Sequence, residues 1–414
     1  MKSSIIAAAA TCLIVTLCTL ATAKERTNLK QGSSIKAPSV KTQLKTTTQF
    51  IIDPRTGEKT TIKSPTASKS GSSGSNLSRT PDSMTDSNTQ SDETTLRPYD
   101  LFDPGNGDWL VNSYLFADLS MKVYSGVHTE GQFKSDLVNK LAGQGIESID
   151  IDVKMDANSG TEAAVFNIGN HVVFSFRGTS NEGHININPY VDGITDLNDD
   201  PTLVEINNKE FHVHLGFWDS TNAVFPWVLD RAMEAHLAGK KIWFTGHSLG
   251  GARATIAAMR LHYAAWIPVE GLITFGSPKV GDSNFQSFMN EKGPGDVRLA
   301  QRTERFVVMG DPATTFPDAE QKGINVLTGW VKYGHVGLPY TIQAYGNGTS
   351  FDMEQKEAYF EPTVAQWYGF LSGALHSEHM WYDDALFMLI KNAPAYAAER
   401  EILEPFQTIV QSND

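Results

Sequence analysis

Apolar positions recur at helical spacing soon after Pro98. Leu115, Phe116, Leu119 and Val123 mark one face of a helix over 112–124, with Asn112 or Ser113 as its cap, and residues 130–141 repeat the pattern. Two β-branched and aromatic runs follow, 163–168 and 172–176, separated by Gly169-Asn170, a dipeptide suited to a tight hairpin turn. Further strands are predicted over 211–214, 242–245, 271–275 and 304–309, and helices over 223–237, 252–266 and 284–292. Strands alternating with helices predict an α/β fold, a mostly parallel central sheet covered by helices.

The pattern is different before Pro98. Residues 24–98 hold no sustained apolar period, and stretches such as KSGSSGSNLS (69–78) are polar and rich in Gly and Ser, which reads as a disordered tether. One short piece, residues 48–52, could form a strand but has nothing to pack on. Residues 1–23 place Lys2 before an apolar stretch from Ile5 to Leu20, then the small-residue step Ala21-Thr22-Ala23, the pattern of a cleaved secretory signal. A membrane anchor needs roughly 20 apolar residues, more than this stretch supplies. The expected organisation is a signal peptide (1–23), a tether (24–98) and one folded domain (99–414), in a protein that is secreted or held in the periplasm or cell envelope, with no integral membrane segment after cleavage.

Charge and cysteine content narrow the chemistry. The chain carries 34 Lys+Arg and 47 Asp+Glu, a net of −13. Residues 24–98 contribute 12 basic and 7 acidic side chains and Lys2 one more, so residues 99–414 hold 21 basic against 40 acidic, a net of −19. So acidic a domain argues against nucleic acid as a partner and favours neutral substrates. Both cysteines, Cys12 and Cys18, lie in the signal segment, so after its removal no thiolate is left for metal or redox chemistry. No cofactor and no metal is expected.

Candidate chemistry begins in KKIWFTGHSLGGARATIAA. An apolar strand runs into Gly246-His247-Ser248-Leu249-Gly250 and straight into an Ala-rich helix. That is the context of a nucleophile elbow, where a sharp strand-to-helix turn exposes a serine and flanking glycines avoid a clash. At the start of a helix, Ser248 would also sit beside free N–H groups that favour a developing oxyanion. A serine needs a base, and the base an orienting carboxylate, in the chain order Ser, acid, His. Asp311 ends the strand 304–309 and fits the acid, although Asp before Pro312 is also an ordinary turn starter, while Asp282 and Asp318 read as loop or cap residues. Three histidines follow, His335, His376 and His379, and spacing does not choose among them.

Together the motifs FSFRGTSN (174–181), VHLGF (213–217), FTGHSLGGA (244–252), TFGSPKVGD (274–282), RFVVMGDPATTFP (305–317) and the His379-x-x-Tyr382 pair resemble the class 3, fungal lipase-like family of the α/β-hydrolase fold, over roughly residues 108–395. The resemblance implies Ser248 as nucleophile, Asp311 as acid and His379 as base, with an oxyanion hole from the backbone N–H groups of Thr179 and Leu249. It favours His379 because an aromatic residue stands three positions on. Two departures, Pro312 directly after the acid and Glu378 before the base, keep His376 as the alternative base. The family also places a lid between Gly178 and Leu197, where Ile187, Tyr190, Val191 and Ile194 would form a small apolar face behind Asn188-Pro189, though Gly193 weakens a helix there.

The implied activity is hydrolysis of carboxylic esters through an acyl-enzyme, with a triacylglycerol at a lipid interface as the first expectation. Phospholipids and plant-wall esters are alternatives within the same chemistry. A catalytically silent lipid-binding protein is the alternative of another class. Oligomeric state is not legible from the sequence.

Overall fold

The computed structural model describes residues 50–52, 59–61, 95–125, 129–179, 201–317, 331–346, 348–363, 365–366 and 378–407. The chain divides into two compact units, Met1–Ser72 and Ser73–Asp414. In the first unit, β1 (Phe50–Ile52) pairs antiparallel with β2 (Lys59–Thr61), so the strand expected near 48–52 has a partner that the sequence reading did not supply. The signal segment, most of the tether, the lid positions Ile187, Tyr190, Val191 and Ile194, and His376 lie outside the described residues.

The second unit is built on a sheet of eight strands among the described residues, in the order β12-β11-β10-β9-β8-β5-β4-β3. Its middle is parallel: β5 (His171–Phe176), β8 (Lys241–His247), β9 (Gly271–Phe275), β10 (Thr303–Val308) and β11 (Leu338–Tyr345). Antiparallel strands close both sides, β4 (Thr161–Ile168) and β3 (Ile151–Asp156) at one and β12 (Ser350–Glu354) at the other. The hairpin turn at Gly169-Asn170 joins β4 to β5 as expected, with Gly169 at φ +55°. The strand expected over 211–214 instead belongs to a separate ribbon, where β7 (Lys209–His214) pairs with β6 (Pro201–Ile206).

Helices cover both faces, which is why the central strands read as unbroken apolar runs. On one face Phe174, Phe176 and Phe244 pack with α3 (Leu215–Leu237), α4 (Leu249–Met259) and α5 (Ser283–Met289). On the other, Val173, Trp243 and Phe275 pack with α1 (Trp109–Lys122), α2 (Glu130–Lys140) and α6 (Tyr382–Asn392), with α7 (Ala397–Leu403) at the rim. Alternate residues of one strand thus enter opposite cores, the period of two of an extended chain.

Three helix boundaries differ from the expected ones for identifiable reasons. Helix α1 begins at Trp109 because Asp108 caps it, its carboxylate accepting from the N–H groups of Leu110 at 2.9 Å and Val111 at 3.1 Å. The expected cap, Asn112, is instead buried and accepts from the Asp103 N–H at 3.0 Å. Helix α3 starts eight residues before position 223, capped by the His214 ring, and it carries Pro226 inside. Helix α4 ends at Met259 and passes into a π turn over Arg260–Ala264.

Candidate active site

The parallel strands deliver their C-terminal ends to one side of the sheet, where α/β sheets bind ligands. Thr179 follows β5, Ser248 follows β8 and Asp311 follows β10. Ser248 occupies the turn into α4 with φ +58° and ψ −133°, left-handed space that a side chain enters only at a cost in strain. Its N–H donates to the Phe275 carbonyl at 2.9 Å and its own carbonyl accepts from Gly251 N–H at 2.9 Å, which pins the turn from both sides.

The glycines around Ser248 are required by close backbone approach. A Cβ at Gly246 would lie 2.3 Å from the Gly250 carbonyl oxygen, and one at Gly250 would lie 2.0 Å from the Phe176 oxygen. The second contact presses the start of α4 against the end of β5. Gly178, the residue before Thr179, runs just as closely past the elbow: its Cβ would sit 2.9 Å from Ser248 Cβ and 2.7 Å from the His247 carbonyl. Of the two expected oxyanion residues, Leu249 directly follows the serine as the first residue of α4, and Thr179 lies one step beyond Gly178.

Asp311 is fully buried and serves two roles at once. One carboxylate oxygen accepts from the Ala313 N–H at 2.9 Å, capping the short 3-10 turn Pro312–Thr315, so the turn-starter reading of Asp-Pro holds. The same oxygen lies 2.9 Å from Nδ1 of His379, and the other accepts from the Tyr382 hydroxyl at 2.6 Å. The Tyr382 hydroxyl in turn accepts from the Val308 N–H at 3.1 Å. Burial and the neighbouring Asp311 hold this phenol well above the ordinary tyrosine range, so it stays a donor.

His379 sits on a 3-10 turn, Glu378–Met380, directly before α6, and is itself buried. His335 lies elsewhere: its Nε2 faces the Thr314 carbonyl at 2.8 Å, on the turn that Asp311 caps. Burial, with Arg305 nearby, pushes its pKa down to about 3, so this imidazole is neutral and ties down the turn that Asp311 caps. It is no partner of Asp311. Asp282 caps α5, as the cap reading has it.

Two members of the site escaped sequence reasoning. His247, inside the Gly-x-Ser-x-Gly run, is fully buried with Nε2 2.6 Å from the His379 carbonyl and Nδ1 2.7 Å from the Tyr124 hydroxyl. A carbonyl can only accept, so Nε2 carries the hydrogen and Nδ1 accepts from Tyr124. Burial first, and then the nearby His379, hold the His247 pKa well below the ordinary histidine range, consistent with that single tautomer. Position 247 carried a signal, a histidine beside Ser248, but Tyr124, 123 positions away, carried none.

A cavity of about 360 Å³ opens beside the segments that carry Asp311 and His379, lined in part by Met309, Gln343, Phe360, Gln366, Glu378 and Trp381; Ser248 is not on its wall. Among the described residues no cluster of His, Cys, Asp and Glu is arranged to hold a metal ion, and no helix is long and apolar enough to cross a membrane.

A mostly parallel sheet covered by helices, with a strained serine at a strand-to-helix elbow and an Asp–His pair on the following loops, has the layout of the α/β-hydrolase fold. Residues 173–321 match the family model described as Lipase (class 3). Over 90 residues it is 37% identical to the secreted mono- and diacylglycerol lipase 1 of Fusarium solani, covering 21% of this chain and 26% of that protein. Over 95 residues it is 35% identical to the toxin TseL of Vibrio cholerae, covering 22% of this chain and 14% of that one. The chain therefore spans about a quarter or less of the length of these relatives. A superposition on the triacylglyceride lipase of Rhizomucor miehei covers 56% of this chain and 80% of that one at 22% identity, with a TM-score of 0.40.

Proposed function

We propose that this protein is a secreted serine hydrolase of carboxylic esters, acting on acylglycerols through Ser248, His379 and Asp311. The observation that carries the reading is the buried pair of His379 Nδ1 and Asp311 at 2.9 Å, set on loops that follow a serine held in a strained elbow. A bland structural turn needs neither the strain nor the buried pair.

In this reading Ser248 Oγ attacks the ester carbonyl carbon while its proton passes to Nε2 of His379, and Asp311 stabilises the imidazolium through Nδ1. The carbonyl oxygen takes up the negative charge and is met by the N–H groups of Leu249 and Thr179. Collapse breaks the ester bond, the leaving alkoxide takes the proton from His379, and an acyl-enzyme remains. Water then repeats the sequence, giving its proton to His379 and releasing the carboxylic acid with Ser248 restored.

The relatedness of residues 173–321 to class 3 lipases supports an ester substrate, and the name of the Fusarium relative supports acylglycerols. Residues 1–23 are proposed as the export signal, 24–98 as the tether and 99–414 as the catalytic domain, with the residue 187–194 stretch as a lid. The test is labelling by a fluorophosphonate probe combined with a panel of esters that includes mono-, di- and triacylglycerols and phosphatidylcholine. Labelling at Ser248, lost in Ser248→Ala with a fall of about 10⁴-fold or more in kcat, is the expected result. An unlabelled Ser248, or full activity in Ser248→Ala, overturns it.

A further inference from the structure

Arg253 lies in the second turn of α4, five residues after Ser248, and is fully buried. A guanidinium is an expensive group to bury, and an apolar side chain of similar size would serve packing at least as well. What the arginine does that an apolar residue could not is bond three separate segments. Nε donates to the Ser220 hydroxyl on α3 at 3.2 Å, Nη1 to the Arg177 carbonyl at the end of β5 at 3.0 Å, and Nη2 to the Ser159 carbonyl in the turn between β3 and β4 at 3.4 Å.

The Arg177 contact bears directly on the oxyanion site. The carbonyl of Arg177 and the N–H of Gly178 share one rigid peptide plane. Between that plane and the N–H of Thr179 stand only the two dihedrals of Gly178, the residue least able to hold them by itself. Gly178 cannot be replaced by a stiffer residue, because a Cβ there would meet the Tyr124 hydroxyl at 2.1 Å and the His247 carbonyl at 2.7 Å. The direction of the Thr179 amide thus has to be set from outside, and a charge-assisted hydrogen bond from α4 is suited to that. The other oxyanion amide, Leu249, belongs to the same helix as Arg253.

We propose that Arg253 is a positioning residue for the oxyanion hole: by fixing the Arg177–Gly178 peptide against α4, it sets the Thr179 amide in register with the Leu249 amide. The proposal rests on the ester-hydrolase reading above. The three bonds named above go to Ser220, Arg177 and Ser159, and none of these three goes to Ser248.

The test compares an oxygen ester with its thionoester in the full-length protein, with kcat counted per site titrated by fluorophosphonate. Sulfur is larger and a weak acceptor, so a well-aligned oxyanion hole penalises the thionoester. In Arg253→Met the expected result is a kcat for the oxygen ester about 10- to 100-fold lower with KM little changed, and an oxygen-to-sulfur preference reduced about tenfold, short of the loss from deleting a donor outright. Arg253→Lys, which keeps a charged donor, recovers part of both. Ser220→Ala removes one anchor of the guanidinium and shifts the same ratio by a smaller factor; should Arg253→Met not fold, this variant decides. A merely structural role lowers both substrates equally, so an unchanged ratio in the folded variants overturns the proposal. A wild type inert toward every ester and unlabelled at Ser248 removes the ester-hydrolase reading itself, whereas an active wild type with unchanged variants removes only the role of Arg253.

Discussion

The imidazole of His247 donates from Nε2 to the backbone carbonyl of His379 across 2.6 Å, and the two rings lie 4.5 Å apart between centroids. The residue preceding the proposed nucleophile therefore holds the main chain of the proposed base, while Asp311 holds its ring. Backbone and side chain of His379 are fixed by different partners from different strands, an arrangement suited to catalysis that depends on placement.

Replacing His247 by Phe should leave the His379 carbonyl without its donor. We expect a stability loss of about 1–3 kcal/mol, the cost of a buried polar group left unpaired, seen as a lower urea midpoint. Activity on a soluble ester should fall by about 10- to 100-fold, mostly in kcat, because the base loses its placement. Tyr124→Phe should cost less, since the His247 Nε2 bond to the His379 carbonyl stays in place. Equal kcat in wild type and His247→Phe would count against the linkage.

Tyr382→Phe deletes a hydroxyl that donates to Asp311 at 2.6 Å and accepts from the Val308 N–H at 3.1 Å. Both partners lie inside the fold, so a loss of about 1–3 kcal/mol is expected. Thermal unfolding of the purified variant reads it directly, and a shift in the pH–rate profile would report the altered surroundings of the Asp311–His379 pair.

Gly250→Ala should abolish folding or come close to it. The added Cβ meets the Phe176 oxygen at 2.0 Å, and both sides of that clash are backbone inside the core, with no flexible side chain to yield. A destabilisation above about 4 kcal/mol belongs to this kind of defect. Soluble, active Gly250→Ala protein would show that the elbow and β5 are not pressed together.

Acid should destabilise the protein beginning below about pH 6.5. His247, His262 and His335 are all held by burial below the ordinary histidine pKa, His335 at about 3. The unfolded chain therefore binds protons that the folded chain refuses, and stability present above pH 6.5 is lost as pH falls through each folded pKa; for His335 that window runs down to about 3, with a slope of about 1.4 kcal/mol per pH unit. His335→Asn, whose amide can still donate to the Thr314 carbonyl, should flatten the slope in urea titrations between pH 6.5 and 4. An identical slope in the variant would remove His335 from the account.

Much of this was legible in the chain because it is local. The elbow is a strand, a glycine-flanked serine and a helix in direct succession, and each part has its own residue pattern. Asp311 was legible as the end of an apolar strand, and β9 falls on the expected residues because five buried positions stand in a row, with Leu272, Ile273 and Phe275 apolar. Strands β11 and β12 were not foreseen: LPYTIQAY and SFDME mix polar and apolar residues, since a sheet rim is only partly covered. The strand 211–214 was legible as a strand, but its partner was not, and only pairing decided that it lies outside the central sheet.

The sequence by itself determined the fold class, the elbow with Ser248 and the carboxylate at the end of β10, because short-range periodicity and steric need write these into neighbouring residues. The tertiary structure decided the pairing of Asp311 with His379, 68 positions apart, the retirement of His335 to a turn, the buried roles of His247 and Arg253, and the bond between half-buried Tyr124 and His247. A hydrogen bond between distant residues leaves no period in the chain. It exists only once the sheet has brought its strand ends to one side.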